Sequence, residues 1–183
     1  MDYNSNIHHR RSIRLKHYDY TTNGYYFVTI CTENKENLFG DIIDGKMLLS
    51  HAGNMVEERY LNLKNMFEDI ELVQYIVMPN HFHAIIALVG AGFMSAHDEV
   101  SSNPKRADTR PAPTMGDVIC AFKSMTTNAY IKGVRSGIYS PFQKHIWQRN
   151  YYEHVIRDKN EFLNTWEYIA SNALKWCEDE YYV

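Results

Sequence analysis

The stretch VMPNHFHAIIAL, Val77 to Leu88, sets His81 and His83 two residues apart inside an otherwise apolar run. Side chains alternate faces along a β-strand, so both imidazoles project to one face, about 6 to 7 Å apart, while Phe82 points to the other. Two imidazoles so placed can converge on one metal ion, although paired core or surface histidines also occur. A pair leaves the coordination shell incomplete, so a third ligand has to be found. Structural zinc would call for further Cys or His ligands, and Cys31, Cys120 and Cys177 stand in no pairwise metal spacing. An open shell with room for water or substrate is the better reading. A hard ion such as Mg²⁺ or Mn²⁺ accepts imidazole together with oxygen ligands.

A second pairing occurs in WEYIASNALKW, where Tyr168 and Asn172 lie four residues apart and so on one face of a helix. Of the fourteen tyrosines, Tyr168 and Tyr139 are followed four residues later by a metal-capable side chain, Asn172 and Gln143. The second pair spans Pro141, which opposes a helix there.

These residues need elements to hold them. YYFVTICT, Tyr25 to Thr32, is rich in β-branched and aromatic residues and reads as a strand. Asp44-Gly45 between two apolar pieces signals a hairpin. Ser50 can cap a helix carrying Met55, Tyr60, Leu63 and Phe67. ELVQYIVM and HFHAIIALV form a strand pair around Pro79-Asn80. From Met115, Val118, Phe122, Met125 and Ala129 fall at helical spacing, with Gly133 as a stop. IWQRNYYEHVIR reads as a further strand. Asp158, with Glu161 at the capping-box offset, opens a last helix whose apolar stripe is Phe162, Trp166, Ile169, Ala173 and Cys177. Strands joined mostly by short turns imply an α+β fold, an antiparallel sheet with helices packed mainly on one face.

The 183 residues fit a single domain, with a basic segment at about residues 8–20 and a flexible insertion at about 90–114. No apolar run is long enough to span a membrane and no secretory signal is present, which points to the cytoplasm. Scattered cysteines, odd in number, argue against a disulfide framework. The net charge of −3 gives no global attraction to polyanions, so a nucleic-acid surface has to be local. Arg10, Arg11, Arg14 and Lys16 form such a cluster, although a solvated basic segment has the same composition.

Taken together, RRSIRLKHYDY, GYYFVTICT, VMPNHFHAIIAL, AFKSMTT, WQRNYYEHVIRD and the final tyrosine helix resemble the single-tyrosine HUH transposases, and within them the REP-associated tyrosine transposases. The resemblance covers most of the chain. It implies a ferredoxin-like fold with the His-hydrophobe-His motif on a central strand, His81, His83 and Asn172 as metal ligands, and Tyr168 as nucleophile. It also implies a Mg²⁺- or Mn²⁺-dependent endonuclease and strand transferase acting on single-stranded or hairpin DNA, working as a homodimer or a monomer. NALKWCEDE differs from the Asn-Pro-Val-Lys-x-Gly of many relatives.

Other residues have two readings. Lys123, Arg149, Lys175 and Arg157 could contact phosphates or be solvated cations. His154 could support the site or be a hydrogen-bonded structural histidine. Tyr151 and Tyr152 are rival nucleophiles without a ligand on a shared helical face. Phe162, Trp166 and Trp176 read as core rather than a base-stacking platform. Two other functions stay open. One is a zinc-dependent small-molecule hydrolase using Glu71 or Asp69 as base, and the other a catalytically silent DNA-binding module.

Overall fold

The computed structural model of the chain describes residues 23–89 and 113–183. Arg10, Arg11, Arg14 and Lys16, and all but the last two residues of the expected 90–114 insertion, lie outside the described residues. The elements are β1 (Gly24–Cys31), β2 (Gly40–Ile43), β3 (Lys46–Leu49), α1 (His51–Leu61), α2 (Leu63–Met66), β4 (Ile70–Val77), β5 (His81–Leu88), α3 (Met115–Arg135), β6 (Tyr152–Ile156) and α4 (Lys159–Ser171). Apart from the β2-β3 hairpin, the chain runs β-α-β-β-α-β and then adds α4. The four-stranded antiparallel sheet has the order β4-β5-β1-β6, the ferredoxin-like arrangement.

Burial divides the two faces of the sheet. On one, Tyr26, Val28, Ile30, Phe82, Ala84 and Ile86 pack under α1 and α3 with Val56, Tyr60, Val118 and Phe122 in the main core. The rings of Tyr60 and Phe122 lie 4.8 and 5.0 Å from that of Phe82. On the opposite face, Ile85, Ile156 and Ile169 form a smaller cluster with Phe27 and Phe162, covered by α4. Every side chain of β5 is buried, so a polar residue there must find its partners inside the protein.

Local signals explain most boundaries. Asp44 and Gly45 take positive φ values of 51° and 71°, as a two-residue hairpin turn requires. The Ser50 side chain accepts from the Gly53 N–H, and Asp158 accepts from Glu161 N–H, so both expected caps are present. Thr114 and Asp117 form a reciprocal capping box at the start of α3.

Three expectations are corrected. Gly133 does not stop α3, which continues to Arg135. A Cβ at Gly133 would lie 2.1 Å from the Tyr139 ring, so this glycine admits an aromatic side chain against the helix, and Gly137, at φ 71°, turns the chain instead. IWQRNYYEHVIR is strand over Tyr152–Ile156 alone, whereas Trp147 is buried and donates to Thr126 Oγ1 at 2.8 Å. The last helix ends at Ser171, and Ala173 and Cys177 fall in a 3₁₀ segment, Asn172–Glu178.

The Gly133→Ala substitution removes helix entropy cost yet clashes with Tyr139. A net destabilisation of about 1–3 kcal/mol is expected from chemical denaturation. Unchanged or raised stability would refute the close-approach account.

Candidate active site

His81 and His83 lie on the α4 face of β5, 0% and 1% exposed, with ring centroids 4.5 Å apart. Each Nδ1 has its own partner: Asn80 Oδ1 at 2.9 Å for His81 and Thr29 Oγ1 at 2.8 Å for His83. Thr29 sits opposite His83 in the β1-β5 register. The Asn80 amide is oriented by its other contacts, since its Nδ2 donates to the carbonyls of Lys35 and Tyr181. Its Oδ1 therefore accepts, which puts the His81 proton on Nδ1 and leaves Nε2 as a bare lone pair.

α4 brings the remaining groups. The Tyr168 hydroxyl lies 3.3 Å from His83 Nε2, and its ring meets those of His83 and Phe27 edge-on. This tyrosine belongs to the same chain as the histidines. Asn172, at the end of α4, keeps helical φ and ψ of −60° and −42°, so it shares a face with Tyr168 although the α-helix stops there. Its side chain is buried, and Nδ2 donates to Asp179 Oδ2 at 2.8 Å. That bond turns Asn172 Oδ1 the other way. Among the described residues, His81 Nε2 and Asn172 Oδ1 are both buried acceptors with no hydrogen-bond partner.

Asp179 is the functional candidate that sequence reasoning missed. The ligand-capable atoms of His81, His83 and Asp179 lie within 4.8 Å of one another. Asp179 follows the 3₁₀ segment, outside any periodic pattern that could have linked it to β5. Its Oδ1 accepts from the Tyr181 N–H, and the Tyr181 ring stands 4.7 Å from that of His81. Cys31, opposite His81 in the register, is buried but is not part of this group. Two imidazole nitrogens, an amide oxygen and a carboxylate suit a divalent cation that takes nitrogen and oxygen donors. The orphaned acceptors fit such an ion, because a cation is what two buried lone pairs lack.

Burial sets the electrostatics. It lowers His81 to about 4, opposed by the Asp179 charge, and holds His83 well below 6.5, with His81 adding to the effect. Both imidazoles are therefore neutral near pH 7 and able to act as ligands. Burial, with Asp179 and Glu180 contributing, pushes the Tyr168 phenol up to about 12, so it needs a nearby positive charge to ionise.

The other predicted residues are spread more widely. Lys123 donates to the carbonyls of Gln148, Arg149 and Asn150, which commits its three N–H bonds to tying α3 to the loop before β6. Arg149, Arg157 and Lys175 are exposed. His154 bonds Glu161 on α4, and Glu161 also accepts from the Arg157 N–H, not from its own cap residue. Tyr151 packs against the main core, while Tyr152 is 53% exposed. Glu71 pairs with Ala87, four residues along β5 from His83 and hence about 13 Å away, and Asp69 lies further still. Neither reaches the imidazoles. Of the aromatic stripe, Trp176 is buried, Phe162 is half-buried and Trp166 is partly exposed.

No family model matches the chain. A solved structure of the REP-associated tyrosine transposase bound to a REP hairpin superposes with a TM-score of 0.55 at 18% identity, covering 90% of this chain and 74% of that one. The fold is thus that of this REP-associated tyrosine transposase. An uncharacterized protein of Haemophilus influenzae is 40% identical over 185 residues, 99% of this chain and 97% of its own. The chain belongs to the same family as that protein. Among the described residues, no helix is long and apolar enough to cross a membrane.

Both imidazoles have pKa values lowered by folding, so between pH 6.5 and about 4 the unfolded chain holds more protons than the folded one. Stability is fully present above 6.5 and falls as pH drops. In chelator-treated protein, the unfolding free energy from denaturant titrations is expected to fall from about pH 7 to about pH 5, by up to about 1.4 kcal/mol per pH unit per imidazole, with a shallower slope in His83→Gln. Equal slopes would count against this origin.

Proposed function

We propose that the chain is a divalent-metal-dependent endonuclease and strand transferase for single-stranded DNA, transposase-like, acting at hairpin-containing sites through a 5′-phosphotyrosine. One observation carries this reading. The Tyr168 hydroxyl meets His83 Nε2 at 3.3 Å beside the orphaned His81 Nε2 and Asn172 Oδ1. A phenol next to a set of neutral ligands is the pairing that cleavage by a tyrosine requires.

His81, His83 and Asn172 would hold the ion, with Asp179 as an additional ligand. Bound there, Mg²⁺ or Mn²⁺ would supply positive charge to the scissile phosphate and to the ionising phenol. Tyr168 Oη attacks phosphorus in line, its proton passing to solvent because both imidazoles resist protonation. The bond from phosphorus to the 3′ oxygen breaks, and that oxygen takes up a proton to become a free hydroxyl. The phosphotyrosine retains the energy of the broken bond, so a different 3′-hydroxyl can reverse the step and join a new strand. Asn80 and Thr29 keep the imidazoles in register throughout. Arg10, Arg11, Arg14, Lys16, Arg149 and Lys175 are the cations proposed to hold the DNA backbone. The DNA-hairpin partner is favoured by the transposase fold, whose solved representative carries a REP hairpin.

The groups proposed for the site, Tyr168, His81, His83, Asn172 and Asp179, all come from one chain, so the reading includes a nucleophile acting in cis. A zinc hydrolase with Glu71 or Asp69 as base has no comparable support, given their distance from His83.

Labelled hairpin DNA with Mn²⁺ is expected to yield a covalent adduct on a denaturing gel. The adduct should fall at least about 10³-fold in Tyr168→Phe and be lost with EDTA or in His81→Ala. An adduct that survives Tyr168→Phe would refute this nucleophile. Mixing Tyr168→Phe with His83→Ala protein should restore nothing, and recovered activity would show assembly between chains instead.

A further inference from the structure

We infer that Tyr152 is a stacking platform for a base beside the scissile phosphate, an inference that rests on the DNA reading above. The sheet register sets Tyr152 of β6 opposite Thr29 of β1, and Thr29 opposite His83 of β5. Side chains in such a row share one face, and two strand spacings put Tyr152 about 10 Å from His83. That is the face on which Tyr168 meets the imidazoles.

The rings form a continuous path. Phe27 stacks on His83 at 5.4 Å and makes edge contacts with Tyr168 at 6.0 Å and Tyr152 at 6.1 Å. Phe27 is thus the floor between two tyrosines, of which Tyr168 is 41% and Tyr152 53% exposed. Tyr168 has a hydrogen bond into the site, whereas Tyr152 stands on an edge strand with much of its ring open to solvent. An aromatic ring so exposed, one residue across from the group that orients a proposed ligand, suits the planar face of a nucleobase.

Two exposed arginines offer phosphate contacts on either side of that base. Exposed Arg149 and Arg157 bracket β6 at its two ends. Glu161 is engaged by His154 and the Arg157 N–H, while Glu153 and Asp158 also lie along this edge, so the arginines act as individual phosphate contacts and not as a net positive field. A backbone following β6 would meet a cation at each end and an aromatic ring between them.

The test measures binding in EDTA, apart from any cleavage. Two fluorescein-labelled probes of equal charge are compared by anisotropy, a random-sequence single-stranded DNA and an abasic phosphodiester of the same length. Tyr152→Ala is expected to weaken binding of the base-bearing strand roughly 5- to 150-fold and to leave the abasic strand unchanged. Tyr152→Phe and Tyr152→Trp should retain affinity, because stacking uses the ring and not the hydroxyl. Equal losses on both probes would make Tyr152 a structural cover for Phe27 and overturn the inference, as would no loss on either. Wild-type protein that binds neither probe would overturn the DNA reading itself.

Discussion

Two imidazoles can be buried in a strand only if each keeps a hydrogen-bond partner, and here both partners are side chains positioned by the sheet itself. Asn80 immediately precedes β5, and Thr29 faces His83 across the β1-β5 ladder. These contacts use the Nδ1 atoms and direct both Nε2 atoms toward α4. A slip of one residue in the β1-β5 register would remove Thr29 from His83 and turn the facing side chains over, so site geometry and sheet pairing are one constraint.

The two faces of β5 divide the work between them. Phe82 anchors an aromatic core with Tyr60 and Phe122, which extends through Trp147 and Phe39. The polar residues of AFKSMTT lock that core to the segment before β6. Thr126 accepts from Trp147 and donates to the Phe122 carbonyl, while Lys123 gathers three successive carbonyls. The opposite face carries the buried acceptors, whose desolvation cost the packing of this core has to offset. α4 joins that face through Ile169 and Phe162, and the His154–Glu161 contact fixes its first turn to β6.

Local rules were readable where the cause is local. The two-residue alternation of His81 and His83, the Asp44-Gly45 turn, the Ser50 and Asp158 caps and the four-residue spacing of Tyr168 and Asn172 all follow from backbone geometry near the residues concerned. Gly133 misled because its role is set by Tyr139, a neighbour that periodicity cannot specify. The end of α4 misled too, since the apolar positions Ala173 and Cys177 continue the helical pattern while the backbone tightens into a 3₁₀ segment. That tightening carries Asp179 back to the imidazoles. Thr29 and Asn80 drew no attention as partners of the ring nitrogens, because a strand register has to be known before a hydroxyl can be matched to an imidazole.

The tyrosine that reaches His83 is carried on the chain's own helix. Under the proposed cis arrangement each chain carries its own nucleophile, so specific activity would hold constant on dilution. Tyr168 is the phenol hydrogen-bonded to the imidazole pair, although Tyr181 stands beside it. In the proposed reaction, one such nucleophile per chain means that two cuts would take successive turnovers or two molecules.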